Sequence, residues 1–319
     1  MAVHSYTSNS DTAVKRFIAT VLTVLAVVVV LDWAIGKALD SMLPQISNQG
    51  DTGKTYFALN EVNTPVVIIG SSRAAHHYVT QMVEDSLGMP AYNVGRDGCF
   101  FSYNYCVMNS ILDRYNPELI IWENGREYLS DQERDPVVNL FPYYNKNKWV
   151  TEFIKNDSPW TEKVRLVSKA YRYNSVIHRV IMRYVSRYKF KDGTVKGYLP
   201  LVPKNLNEPL ELKSELIDNE KISQAKVEHF RLSLERAKSK GIKVVVVDSP
   251  EYRERRVSSL SGDMMRDLCQ DYGMVYLDNS QLPYFLEHPE LFSDATHMND
   301  NGAKIYTEMF IRQIEDYVD

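Results

Sequence analysis

The chain has 319 residues, 44% hydrophobic and 24% charged, with a formal net charge of -4. That length buries a sizeable core in one large or two modest domains, and the slightly acidic balance excludes a general nucleic-acid binder. Three cysteines, Cys99, Cys106 and Cys269, form no CxxC and no zinc-spaced Cys/His set. They therefore read as buried thiols or at most one Cys99–Cys106 bridge, and no cofactor or metal is called for.

In chain order, a polar start ending in Lys15-Arg16 precedes the uncharged run Phe17 to Leu31, then Asp32 and Trp33-Ala34-Ile35. With Trp33 at the interface, residues 17–35 approach the ~20 residues that a bilayer needs. Lys15 and Arg16 place residues 1–16 in the cytoplasm by the positive-inside rule, and the remainder outside. A cleaved signal peptide, cut near Ala34-Ile35-Gly36, and a buried core helix are the rivals. Residues 36–64 carry Pro44, Gly50 and Gly53 without a sustained period and read as a stalk.

From residue 65 the pattern alternates. Pro65 to Gly70 is a β-branched run of the kind buried on both faces of a parallel sheet. A helix follows over Ala74 to Leu87, then a strand at Ala91 to Val94, a helix at Phe101 to Arg114 and a strand at Leu119 to Trp122. Later come a helix at Ser223 to Lys240, a strand at Ile242 to Asp248, a helix at Asp263 to Tyr272, a strand at Met274 to Leu277 and a helix at Ala303 to Tyr317. Strands alternating with helices predict right-handed βαβ units and a three-layer α/β/α sandwich with a parallel, flavodoxin-like sheet spanning residues 65–319. Ligands then bind beyond the carboxyl ends of the strands.

An insertion at about 135–219 breaks the alternation. It holds Trp149, Trp160 and a helix expected over Thr161 to Phe190; Thr161 to Lys196 contains ten Lys/Arg against Glu162 and Asp192. Three readings stand: a solvated helical face, a cap over the site, or a surface resting on anionic headgroups.

The stretch with the strongest chemical signal is Phe292 to Gly302. Asp294 three residues before His297 can hold one ring nitrogen, leaving the other to accept a proton from a nucleophile. Asn299 or Asp300 also suits the N-cap of the following helix, and both readings can hold. Upstream, Gly70-Ser71-Ser72-Arg73 ends the first strand, where a serine hydroxyl and its own N–H reach the carboxyl edge at a helix start. The turns after the next two strands offer Gly95 and Gly98, then Asn124, as further donors to an oxyanion; each is equally an ordinary turn residue. Arg73 is either a substrate contact or a structural ion-pair partner. His76 and His77, on different faces of the next helix, lack a matching ligand set and read as structural.

In this order the blocks resemble the SGNH/GDSL hydrolases. Gly70-Ser71-Ser72 is similar to the Gly-Asp-Ser block, so the nucleophile maps to Ser72; Gly98, with Gly95 as fallback, corresponds to the second-block Gly, and Trp122-Glu123-Asn124-Gly125 to Gly-x-Asn-Asp. Asp294 to His297, followed by Met298 to Gly302, is similar to the final Asp-x-x-His block. Ser71, Trp122 and Gly125 depart from the family pattern and mark a divergent branch. The likeness covers about 65–135 and 223–319. It implies a Ser72–His297–Asp294 triad with an oxyanion hole of Ser72, Gly98 and Asn124, acting on esters. The anchored architecture resembles the D-alanyl and O-acetyl transfer proteins of cell-envelope glycans. That implies an acylated glycan or related ester as substrate, with envelope-biosynthesis proteins as possible partners. A catalytically inactive, glycan-binding or assembly domain is the alternative.

Overall fold

The computed structural model describes residues 7–125, 128–131, 135–186, 193–202, 210–215, 220–255 and 259–318. Five parallel strands form the sheet: β1 (Val66–Ile69), β2 (Ala91–Asn93), β3 (Leu119–Glu123), β4 (Lys243–Asp248) and β5 (Val275–Asp278), in the order β2-β1-β3-β4-β5. Val66 lies opposite both Ala91 and Leu119, and Leu119 opposite Lys243, so the strands end nearly level.

Period-two geometry sorts the apolar strand residues onto two faces. Val67, Ile69, Ile120, Trp122, Val244 and Val246 pack with helices α2 (Gly50–Asn60), α5 (Phe101–Arg114), α9 (Gln224–Ser239) and α10 (Leu260–Tyr272). Val66, Ile68, Leu119, Ile121, Val245 and Val247 pack with α3 (Ser72–His77), α4 (Thr80–Leu87), α11 (Pro283–Glu287) and α12 (Asp300–Val318). The result is the expected three-layer α/β/α sandwich. Burial on both faces is why these strands are unbroken runs of Val, Ile and Leu. A small parallel ribbon, Lys213–Glu215 against Arg253–Arg255, lies apart from the sheet.

The amino-terminal helix α1 (Thr7–Met42) contains a segment long and apolar enough to cross a membrane. Its side chains from Phe17 to Leu31 are exposed, Phe17 to 69% and Val29 to 65%, so none of the described residues covers them. Its last turns are different. Leu39, Leu43 and Ile46 are buried in the main core, which also holds Ala58, Leu59 and Val62. The stretch read as a stalk is thus built into the domain: α2 covers the sheet, and Arg114 ties its last turn down through the carbonyls of Ala58 and Val62. The period was missed because α2 is buried partly through Thr52, Gly53, Lys54 and Thr55, which carry no apolar signal.

Two helices differ from expectation. The run after Ser72 breaks between α3 and α4, where Tyr78 and Val79 turn extended. The insertion contains α6 (Lys148–Asn156), α7 (Trp160–Lys163), short 3-10 turns at Val164–Val167 and Tyr171–Tyr173, and α8 (Ile177–Ser186), instead of one helix; residues 187–192 lie outside the described residues. Its mixed aromatic and basic residues stack on one another. Arg165 lies over Phe141 and Tyr171, Arg172 over Tyr144, and Arg236 of α9 over Trp149.

Candidate active site

The site assembles at the carboxyl edge of the sheet because two close approaches bring α3 against the strand ends. Gly70, with φ +154°, lets the chain leave β1 past β3; a Cβ there would meet Glu123 O and Cβ at 2.8 Å. Gly95 lies under α3, where a Cβ would meet Ala74 Cβ at 2.5 Å and Ala75 N at 2.8 Å. Ser71 is extended and makes no side-chain cap, and Ser72 opens α3 at the end of β1.

His297 comes from the loop before α12. Ser293 N–H donates to His297 O (2.8 Å), closing the loop, and Asn299 caps the helix by accepting from the N–H groups of Asn301 and Gly302 (both 3.1 Å). The cap and the presented histidine coexist. Ser72 Oγ lies 2.7 Å from His297 Nε2, and His297 Nδ1 lies 3.0 Å from both Asp294 carboxylate oxygens. Asp294 Oδ1 also accepts from the N–H groups of Thr296 and His297. Partial burial pushes the Asp294 carboxyl up, but the His297 hydrogen bond and those backbone donors prevail and hold it below the ordinary aspartate value. An ionised Asp294 fixes the proton on Nδ1, so Nε2 is the acceptor facing Ser72.

The other residues singled out by sequence are placed less uniformly. Gly98 lies in an exposed left-handed turn (φ +65°) with open space around it. The fallback, Gly95, has its N–H engaged by Asn93 Oδ1 (2.9 Å) and is a packing glycine. Asn124 is buried at the end of β3, but its side-chain amide lies against Met265 Sδ at 3.9 Å on the opposite layer, and its Oδ1 has no partner among the described residues. That amide is not brought to Ser72, which corrects its expected role as a donor. Arg73 is likewise turned away. It is buried, with Nη1 2.7 Å from Asp248 and 3.0 Å from Glu251, and Nη2 3.2 Å from Glu123 and 2.8 Å from Asn124 O. A guanidinium so enclosed cannot meet substrate, and its role is structural. Trp149 of the insertion is buried with its indole N–H on Asp113 (2.7 Å).

Sequence reasoning did not find the polar system behind the triad. Met298 N–H donates to His77 Nε2 (3.1 Å), which leaves Nδ1 to donate to Ser249 Oγ (2.7 Å); Ser249 Oγ donates in turn to Glu123 Oε1 (2.9 Å). The Tyr78 hydroxyl closes on Glu123 Oε2. Burial and the nearby Arg73 charge drive the His77 pKa well down, so the ring stays neutral. For Glu123 burial is the largest influence, and with the like charge of Asp248 it outweighs Arg73 and the hydrogen bonds, pushing the carboxyl up to about 7. This chain links the residue after His297 to the ion cluster behind Ser72.

A second histidine flanks the triad. His76, one helical turn after Ser72 and so on the same face, has its ring edge-on to His297 at 5.6 Å. Its Nδ1 lies 2.7 Å from Leu199 O and its Nε2 3.2 Å from Asp97. Burial pushes the Asp97 carboxyl up, but His76 and then Lys54 outweigh it, and it sits below the ordinary value. The i, i+4 spacing from Ser72 is the signal that could have found His76. Among the described residues no group of three or more His, Cys, Asp or Glu is arranged to hold a metal ion. The three cysteines are free and buried.

No family model matches the chain, and no curated protein matches it. Among solved structures it is similar to a lipase/acylhydrolase from Enterococcus faecalis, at 9% identity over 79% of this chain and 95% of that one, with a TM-score of 0.40. It is also similar to an alpha/beta hydrolase enzyme from the metagenome of Lake Arreo, Spain, at 11% identity over 80% and 96% of the two chains, with a TM-score of 0.38. The likeness is one of outline.

Proposed function

We propose that the protein is a membrane-anchored serine ester hydrolase or O-acyltransferase of SGNH type, with its catalytic domain outside the cytoplasm and an acylated cell-envelope glycan or related ester as substrate. The observation that carries this reading is the contact of Ser72 Oγ with His297 Nε2 at 2.7 Å, the same ring being held through Nδ1 by Asp294 at 3.0 Å. In this mechanism His297 Nε2 takes the hydroxyl proton as Ser72 Oγ bonds to the ester carbonyl carbon, and the carbonyl π pair moves onto oxygen. The N–H groups of Ser72 and Gly98 receive that oxyanion. Asn124 joins them only by swinging off Met265. Collapse breaks the ester C–O bond, the leaving alkoxide takes the proton from His297, and an acyl-Ser72 remains. Water or a glycan hydroxyl, deprotonated by His297, then attacks the acyl carbon; the acyl–Oγ bond breaks and Ser72 Oγ takes the proton back from His297, and which acceptor prevails depends on acceptor binding and exclusion of water.

The second reading, a domain that binds a glycan or an assembly partner without chemistry, is favoured by the withdrawn Asn124 amide. The test is intact mass of the full chain in detergent after exposure to a fluorophosphonate, beside Ser72→Ala and His297→Ala. An adduct on the wild type that Ser72→Ala abolishes and His297→Ala greatly slows supports the hydrolase reading. Folded wild type without an adduct sinks it in favour of the binding domain.

A further inference from the structure

The insertion holds α1 where the helix leaves its apolar run. Asp32, the first charge after Phe17 to Leu31, accepts hydrogen bonds from Ser168 Oγ, from Lys169 N–H at 2.8 Å and from Ala170 N–H at 3.1 Å. A Cβ on Gly36 would meet Lys169 Cβ at 2.4 Å, so the segment lies directly on the helix there. Lys169 Nζ extends over the Trp33 ring, 5.7 Å from its centroid. Two turns below Asp32, Asp40 accepts from the Tyr173 hydroxyl at 2.6 Å and pairs with Lys146.

These contacts fix a height. If Phe17 to Leu31 lie in hydrocarbon, Ser168 and Lys169 lie at the headgroups, and so do their neighbours. Those neighbours are apolar and uncovered: Val167 is 89% exposed and Trp160 76%, with Val164 also exposed. Lys163 and Lys169 flank this group. Apolar side chains ringed by basic ones are what an interfacial surface on an anionic leaflet requires.

The foot of α1 is placed by α2. Lys54, in its second turn, donates to Gly95 O at 3.2 Å, just past the carboxyl end of β2, while Arg114 ties its last turn at the opposite edge. The amino end of α2 is therefore level with the carboxyl edge, and Ile46, at the foot of α1, lies against it, since a Cβ on Gly53 would meet Ile46 O at 1.9 Å.

We infer that the insertion is a bilayer seat: the tips around Val167 and Trp160 rest in the headgroup layer of an anionic membrane. The inference rests on α1 crossing the bilayer, and its test separates the two claims. Nitroxides are placed on full-length protein in phosphatidylglycerol-containing nanodiscs through Val167→Cys, Trp160→Cys, Leu25→Cys within the span, and Arg312→Cys on α12; the three native cysteines are buried. Collision with oxygen and with a water-soluble nickel chelate reports depth. The seat predicts that Val167 and Trp160 labels, like Leu25, favour oxygen and resist nickel, while Arg312 does the reverse. Adding Val167→Asp should return the Trp160 label to water. Val167 and Trp160 labels as open to nickel as Arg312, with Leu25 protected, overturn the seat and leave the anchor. A Leu25 label open to nickel overturns both.

Discussion

Glu123→Gln isolates the buried ion cluster behind the site. In the folded protein burial pushes the Glu123 carboxyl from its ordinary 4.5 up to about 7. The fold thus binds this proton more tightly than the unfolded chain does. Its contribution is fully present below about pH 4.5 and is lost as pH rises through about 7. A gap of roughly 2 to 3 pKa units corresponds to about 3 kcal/mol, of which about 2 to 3 kcal/mol falls between about pH 5 and about pH 8. Glutamine keeps an acceptor for Ser249 and Arg73, which now contact Glu123 at 2.9 Å and 3.2 Å, but it does not titrate. For 319 residues a melting entropy of ~2 cal/mol/K per residue converts that loss to about 4 °C. The assay is thermal unfolding of full-length wild type and Glu123→Gln in detergent at both pH values. His77, held neutral in the fold, makes both proteins more stable as pH rises through about 6.5, in the opposite direction, and cancels in the comparison. The variant should gain about 4 °C on the wild type between the two pH values. A gap that is the same at both would mean that Glu123 is ionised throughout, and the burial argument would fail.

Asp294→Asn presents an amide N–H to His297 Nδ1, so the ring proton moves to Nε2 and the base faces Ser72 in the wrong tautomer. Fluorophosphonate labelling should slow about 10³- to 10⁴-fold with the melting temperature little changed, and a loss under about tenfold would refute the orienting role. Gly95→Ala drives a Cβ to 2.5 Å from Ala74 Cβ and 2.8 Å from the backbone of Ala75. It should cost about 1–3 kcal/mol and slow labelling as α3 shifts Ser72 from His297; unchanged melting and labelling would show that α3 adjusts freely.

Some of this protein was legible in its sequence because the signal was local. A β-branched run ending in Gly70 reads as a doubly buried strand whichever neighbours it finds, and Asp294 can reach His297 through a loop of fixed length. The apolar run from Phe17 to Leu31 needs no partner to be recognised. Where the physics is long-range, sequence fell short. The turn of the Asn124 amide toward α10 depends on Met265, and the enclosure of Arg73 on Asp248 and Glu251, far away in the chain. Residues 36–64 lacked a helical period because α2 is buried through small and polar side chains whose partners lie across the fold, as Lys54 donating to Gly95 and Gly197 illustrates. The sequence by itself determined the strands, the serine at a strand end and the Asp-x-x-His loop, all set by steric and hydrophobic patterns within about ten residues. Only the tertiary structure decided which polar groups meet, because a buried charge goes wherever the fold supplies a partner, and that partner has no fixed spacing.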